Sequence, residues 1–357
     1  MPLEAVCHSR SALAFTRTRC SEVQRVLFVT NMYPTLAQPA FGIIVERLAH
    51  ALQASGIRVE VVSVSCGRGP ADYLLARRRV AHAVRSFVPD VVHIHFGYTA
   101  LATSDAYPRV VSFYGDDLNG ESTGNGSRIT LKSRLGVAIS RWAAQRCERS
   151  IAVSEALRCR LLNADARSRC ILIRDSVDTR LFSPGARAEA RARLDIAENA
   201  ELVLFPHSLH QRTKRLDLAQ AAVERLRQHR PRAELWVVNG RHPNEMPDVY
   251  RAANALIVTS DLEGGPSCVK EALACGLPVV SVPVGDTRVL EEAGPSCFLT
   301  PRDPEALAAA LSRALDMPVA FRSALPAVLT LDHSVAEMRT VYEAARRAHV
   351  ARRPGAA

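Results

Sequence analysis

The chain has 357 residues, 48% of them apolar, and a formal net charge of +10, with mean hydropathy close to zero. Such a length buries one large core or two medium ones, and no apolar run reaches the roughly eighteen residues that a membrane-spanning helix needs. Nine cysteines without a Cys-x-x-Cys pair or metal-ligand spacing point to buried, reduced thiols rather than a disulfide framework or a zinc site.

The basic excess is uneven. Residues 1–180 carry 24 Lys+Arg against 15 Asp+Glu, whereas residues 181–357 carry 22 against 21. Residues 1–22 lack the apolar run of a signal peptide and read as a disordered extension or an over-called start. Beyond them, short β-branched runs alternate with helical periodicity, the pattern of a parallel α/β sheet. Strands are expected at Arg25–Thr30, Arg58–Val64, Asp90–His95, Arg109–Phe113, Ser150–Val153 and Cys170–Ile173. Helices are expected at Ile43–Ser55, Asp72–Phe87, Leu131–Cys147 and Glu155–Leu162.

The first strand opens into a Pro/Gly loop, Asn31–Gly42, at the carboxyl edge of the sheet. His93 and His95 stand two residues apart at a strand end, and without a third ligand they read as structural rather than metal-binding. Two amphipathic helices carry the basic excess, one with Arg77, Arg78 and Arg79, the other Arg-rich with a Trp. Their polar faces read equally as solvated surface or as contacts for an anionic membrane surface. Nucleic acid is disfavoured, since no aromatic interleaving or binding motif accompanies the charge.

A crossing segment, Arg174–Asn199, leads to a second α/β unit with a strand at Leu202–Pro206, the segment HSLHQRTKRLDLAQAAVERL, and a strand at Glu234–Val238. The most informative stretch follows, Ala255–Pro283. An apolar strand ends at Thr259, and Gly264, Gly265 and Pro266 break the chain. Ser267 is placed as the N-cap of an Ala/Leu helix closed by Gly276, and a second buried strand ends the unit. A helix N-terminus at the carboxyl edge of a parallel sheet faces the crevice where such sheets bind ligands. The amides of Ser267, Cys268 and Val269 favour an anion there, flanked by Glu263 and Glu271. Further helices are expected at Asp303–Leu315 and His333–Arg347.

Glu263 and Glu271, with seven residues between them and glycines after the first, resemble the Glu-x7-Glu signature of retaining family-4 glycosyltransferases. The run KEALACGLPVVS, the Gly285–Asp286 turn and NMYPT near the start resemble a bacterial branch that builds surface polysaccharides, including teichuronic-acid enzymes. The resemblance implies the GT-B fold, in which two Rossmann-like, doubly wound parallel-sheet domains face a central cleft. It implies an acceptor-binding domain over residues 23–185, a donor-binding domain over 186–330, and a helix over 331–350 crossing back to the first.

The same resemblance implies transfer, with retention, of a sugar from a nucleotide-diphosphate-sugar donor to a saccharide or lipid-linked acceptor. It implies a cytoplasmic protein, peripheral on the membrane, that needs no cofactor and no metal. Lys214, with Arg212 standing for the family's arginine, would clamp the diphosphate. Glu263 would hold sugar hydroxyls and Glu271 the ribose diol, with Gly42, Gly264, Gly265, Ser267, Cys268 and Val269 also on the donor. Tyr114, where relatives carry His, and Asp116 and Asp117 would meet the acceptor. Adjacent carboxylates at a turn read equally as a helix cap. A non-catalytic nucleotide-sugar-binding subunit and a same-fold epimerase remain the alternatives.

Overall fold

Six short runs rich in Val and Ile form a parallel sheet: β1 (Arg25–Thr30), β2 (Arg58–Ser63), β3 (Val91–His95), β4 (Arg109–Phe113), β5 (Arg149–Ala152) and β6 (Cys170–Leu172). The chain is seen in a computed structural model that describes residues 22–64, 70–120, 131–207, 211–263, 265–285, 287, 294–318 and 325–352. The extension expected before Glu22, Gly264 and Asp286 therefore lie outside the described residues. The strand order is β2-β1-β3-β4-β5-β6, every pair parallel. Parallel neighbours need crossovers, and these are α1 (Ile43–Ala54), α2 (Pro70–Phe87), a 3-10 helix at Gly97–Ala102 between β3 and β4, α3 (Asp116–Asn119), α4 (Leu131–Arg146), α5 (Glu155–Arg158) and α6 (Ala164–Ser168). The helix expected over Glu155–Leu162 stops at Arg158, and a second short one begins beyond that span, where Asn163 caps it by accepting from the Ala166 amide at 2.9 Å.

The second sheet contains β7 (Glu201–Phe205), β8 (Ala233–Val237), β9 (Ala255–Val258), β10 (Val279–Ser281) and β11 (Cys297–Leu299), in the order β11-β10-β9-β7-β8. It is again parallel throughout. Its helices are α7 (Arg187–Arg193), α8 (Leu216–Arg227), α9 (Met246–Ala252), α10 (Ser267–Ala274) and α11 (Pro304–Leu315). Both sheets reverse strand order next to their first strand, between β1 and β3 and between β7 and β9, which opens a crevice at each carboxyl edge.

The last helix, α12 (Leu331–Arg352), buries Leu331, Val335, Met338, Val341, Tyr342 and Ala345 in the core of the first domain beside Phe28 and Val110. Outward, Ile173 belongs to the first core while Val177 and Phe182 belong to the second. On the return, Leu329 lies in the second core and Leu331 in the first. The boundary placed between residues 185 and 186 thus falls earlier, between Ile173 and Val177. Where the two passages meet they are bonded: the Val177 amide donates to Leu329 O at 2.9 Å and the Leu331 amide to Val177 O at 2.9 Å.

Candidate active site

The crevice of the second sheet is built from the loops after β7 and β9 and from the start of α10. Thr259, just past β9, donates its hydroxyl to Lys214 O at 2.8 Å and to Arg215 O at 2.9 Å. The Asp261 amide donates to Thr213 O at 2.8 Å. Arg215 sits in the left-handed region at φ 54° and pairs with Asp217 and Asp261. These contacts tie the short Arg212–Lys214 turn to the loop carrying Glu263.

The result is an ion pair at the crevice mouth. Lys214 Nζ lies 2.6 Å from Glu263 Oε1, with the side chains 18% and 12% exposed. Arg212 is on the same turn but is exposed. His207 follows β7 in the same crevice. Burial first, then the Lys214 charge, lowers its imidazole to about 4, so it is neutral near pH 7. Sequence reasoning missed His207; the only signal was its position directly after a strand that ends at the crevice.

Helix α10 starts differently from expectation. Pro266, not Ser267, holds the N-cap position, and no side chain caps it. Proline suits the place because its rigid φ feeds the first turn. The Val269 amide already donates to Pro266 O at 3.1 Å. Ser267 and Cys268 therefore supply the first-turn amides that the helix cannot satisfy internally. The Cys268 thiol lies 3.9 Å from His207 Nε2 and burial pushes it up to about 12; it is inert as a nucleophile. Gly265 lies on the turn before Pro266.

Glu271, one turn further along α10, is held from both sides. Its Oε1 accepts from Arg47 Nη1 at 2.9 Å and its Oε2 from the Tyr250 hydroxyl at 2.8 Å. Burial pushes the carboxyl above its ordinary range, while Arg47 and Tyr250 pull it down. Arg47 belongs to α1 of the first domain, so the contact crosses the cleft. Neither Arg47 nor Tyr250 was found from sequence, since each sits inside an ordinary amphipathic helix pattern.

Across the cleft, Gly42 caps α1 at φ 74°, and a Cβ there would stand 2.3 Å from the Met32 carbonyl carbon. The close approach expected at this glycine is made to the chain's own loop. His93 and His95 point inward and are fully buried. His93 bonds the Tyr342 hydroxyl and Ser112 Oγ, each at 2.8 Å, and burial lowers it to about 3. His95 Nδ1 lies 2.7 Å from the Tyr114 hydroxyl. Burial, then the neighbouring Asp175, keeps that phenol well above its ordinary value.

The two adjacent aspartates separate. Asp116 is exposed. Asp117 is buried and accepts from the amides of Tyr114, Gly115 and Gly97 at 3.2, 3.0 and 3.3 Å, so it pins two loops together instead of presenting a carboxylate to a ligand. That corrects the acceptor contact expected of Asp117. Burial pushes its carboxyl to about 6 despite those bonds. Among the described residues, no group of three or more His, Cys, Asp or Glu is placed to hold a metal ion.

Comparison with known proteins decides what this pair of crevices belongs to. The profile of Glycosyltransferase Family 4 matches residues 42–181, and that of Glycosyl transferases group 1 matches residues 236–317. The chain belongs to the family-4 glycosyltransferases of the GT-B fold. This family-4 chain is 34% identical over 193 residues to the D-inositol 3-phosphate glycosyltransferase of Frankia alni, covering 44% of the chain and 47% of that relative. The match thus spans about half the length of that relative. A Bacillus subtilis protein named as a teichuronic acid biosynthesis glycosyltransferase is 23% identical, covering 81% of the chain and 88% of that protein.

Solved structures share the fold. Sucrose-phosphate synthase of Thermosynechococcus elongatus superposes with TM-score 0.65 at 17% identity, covering 93% of this chain and 98% of that one. An Anabaena protein solved with UDP and glucose gives TM-score 0.60 at 17% identity, covering 94% and 100%.

Proposed function

We propose that this family-4 chain transfers a hexose from a nucleotide-diphosphate-sugar, with retention, to a saccharide or lipid-linked saccharide in cell-surface polysaccharide assembly. The observation that carries the reading is the Lys214–Glu263 pair at 2.6 Å, set between β7 and β9 beside the α10 amides. A diphosphate leaving group gains negative charge as the sugar departs. Lys214, Arg212 and the Ser267 and Cys268 amides meet that charge without a metal ion, and one preorganised donor of this kind is worth roughly 3–4 kcal/mol. Glu263 accepts from sugar hydroxyls and Glu271 from the ribose diol.

In the step itself, the bond from the anomeric carbon to the diphosphate oxygen breaks. A bond to the acceptor oxygen forms on the same face, and the acceptor proton passes to the departing phosphate. The acceptor enters from the first domain past Gly42, Tyr114 and Asp116.

Lipid-linked acceptors place the protein on the inner face of the membrane, and the first domain has a surface that suits it. Helix α4 exposes Leu131, Leu135 and Trp142 among Lys132, Arg134 and Arg146 and contains no acidic residue. Helix α2 exposes Leu74 and Leu75 beside Arg77, Arg78 and Arg79. Apolar side chains ringed by cations are the composition of an interfacial helix face.

The testing experiment is a panel of UDP-, GDP- and ADP-sugars, scored for donor hydrolysis and for transfer, with and without EDTA. Turnover of at least one donor in the presence of EDTA is expected, and the anomeric proton coupling of the product reads retention. Binding without hydrolysis or transfer of any donor would leave a nucleotide-sugar-binding subunit instead. A strict divalent-metal requirement would refute the proposed clamp.

A further inference from the structure

Glu271 depends on a side chain that its own domain does not supply. The Arg47 guanidinium reaches it from α1 at 2.9 Å, with the two side chains 16% and 15% exposed. The same guanidinium lies 4.9 Å over the Phe182 ring, on the segment crossing between domains. Phe182 is buried in the second core, so it fixes the plane on which Arg47 rests. Cation and ring attract each other through the ring's quadrupole. Tyr250 occupies the other carboxylate oxygen at 2.8 Å. Each oxygen keeps a further lone pair, since a carboxylate accepts about four hydrogen bonds. A vicinal diol can therefore bind while Arg47 and Tyr250 stay in place.

We propose that Arg47 is a positioning residue for the donor, acting through Glu271, so that ribose recognition by the second domain is completed by a cation from the first. This rests on the reading that Glu271 accepts from the ribose diol. The ionisable groups around the carboxylate are few. Arg47 faces it from α1 and Tyr250 from α9, while Cys268 shares its own helix and Cys275 caps that helix's end. Burial pushes both thiols to about 12, so they stay neutral. The Arg47 charge is the largest attraction opposing the burial that raises the Glu271 carboxyl. Without it the carboxylate takes up a proton at higher pH and stops accepting from one of the two hydroxyls. Separating the domains removes the same cation, which makes donor grip and domain approach one event.

The test measures binding of UDP, ADP and GDP, each against its 2′,3′-dideoxy counterpart, from pH 5 to 8 by calorimetry. The variants are Arg47→Met, Arg47→Lys and Glu271→Gln. The wild type should prefer the ribose form by about tenfold or more, as expected for hydrogen bonds to a charged group. Glu271→Gln should lose most of that preference. Arg47→Met should lose it too, with ribose-dependent binding failing at a higher pH than in the wild type, and Arg47→Lys should recover part. A merely structural role for Arg47 would weaken ribose and dideoxy forms alike. If Glu271→Gln keeps the wild-type preference, the ribose reading of Glu271 is wrong. If Glu271→Gln loses it but Arg47→Met keeps it, or Arg47→Met binds the ribose form more tightly, the inference about Arg47 is overturned while the ribose reading stands.

Discussion

Replacing Lys214 by Ala separates chemistry from architecture. The turn carrying Lys214 is held through its backbone, by Thr259 Oγ1 on Lys214 O and Arg215 O and by the Asp261 amide on Thr213 O. Truncating the side chain leaves those bonds intact. What is removed is one cation, 2.6 Å from Glu263. At an effective dielectric of about 20, two unit charges 4 Å apart attract by about 4 kcal/mol, and loss of one preorganised donor typically lowers kcat by 10²–10³, about 3–4 kcal/mol. Turnover at saturating donor should therefore fall by about two orders of magnitude or more.

Stability should respond much less. A fully buried pair that loses one partner costs about 3–5 kcal/mol, but this pair is partly open to solvent, so about 1 kcal/mol is expected. That corresponds to a Tm shift of roughly 2–4 °C for a domain of this size. Initial-rate transfer assays beside calorimetric melts check both numbers. Near-normal kcat with any accepted donor would refute the clamp. A melt lowered by more than about 10 °C would mean that the loss of rate is a folding defect.

Gly42→Ala should destabilise the first domain by about 2–5 kcal/mol, combining the left-handed backbone cost of about 1–2 with overpacking of about 1–3, measured by urea unfolding. Acid should unfold the protein through His93. Its imidazole is held at about 3 when folded against about 6.5 when unfolded. The unfolded chain thus binds the extra proton between those values, and stability complete above pH 6.5 is lost as pH falls towards 3, by about 5 kcal/mol in all. Asp117, raised to about 6, acts oppositely and more weakly: its contribution of about 3 kcal/mol is present below pH 3.8 and lost as pH rises through 6. Denaturant midpoints from pH 7 down to 4 should show the net decline, and a flat profile would contradict it. Replacing Arg77, Arg78 and Arg79 together by Gln should remove about 3 kcal/mol of attraction to anionic vesicles, read by flotation, while donor hydrolysis in solution persists. Equal flotation of both proteins would make the arginine run ordinary solvated surface.

The alternating strands and helices of both sheets were legible because a parallel sheet buried on both faces demands continuous β-branched runs. The site was legible where chain-breaking residues and charge coincide, at Glu263 through Glu271 and around Lys214. Helix α7 was not, since RAEARAR has no apolar stripe. It is held by Arg191, which donates to Ala252 O, Ala200 O and Asn254 Oδ1. Strand β11, Cys297–Leu299, was missed because it has no β-branched residue, unlike the equally short β6 and β10. Arg47 escaped notice because a guanidinium on an amphipathic helix looks solvated until the partner domain is in place. Asp117 was misjudged for the opposite reason: a carboxylate in a turn looks available until the amides closing on it are seen.

The bonded crossing at Val177 and Leu329–Leu331 has a mechanical consequence. Two separated connections would act as struts and resist rotation of one domain on the other. Two strands bonded to each other at one place act as a single pin. Sliding of one domain past the other is then resisted at that pin, while rotation about it stays soft, because one point fixes no single axis. Several pairs of distance probes across the two sheets are needed to follow such rotation, and Val177→Pro, which deletes one of the two bonding amides, should broaden those distance distributions.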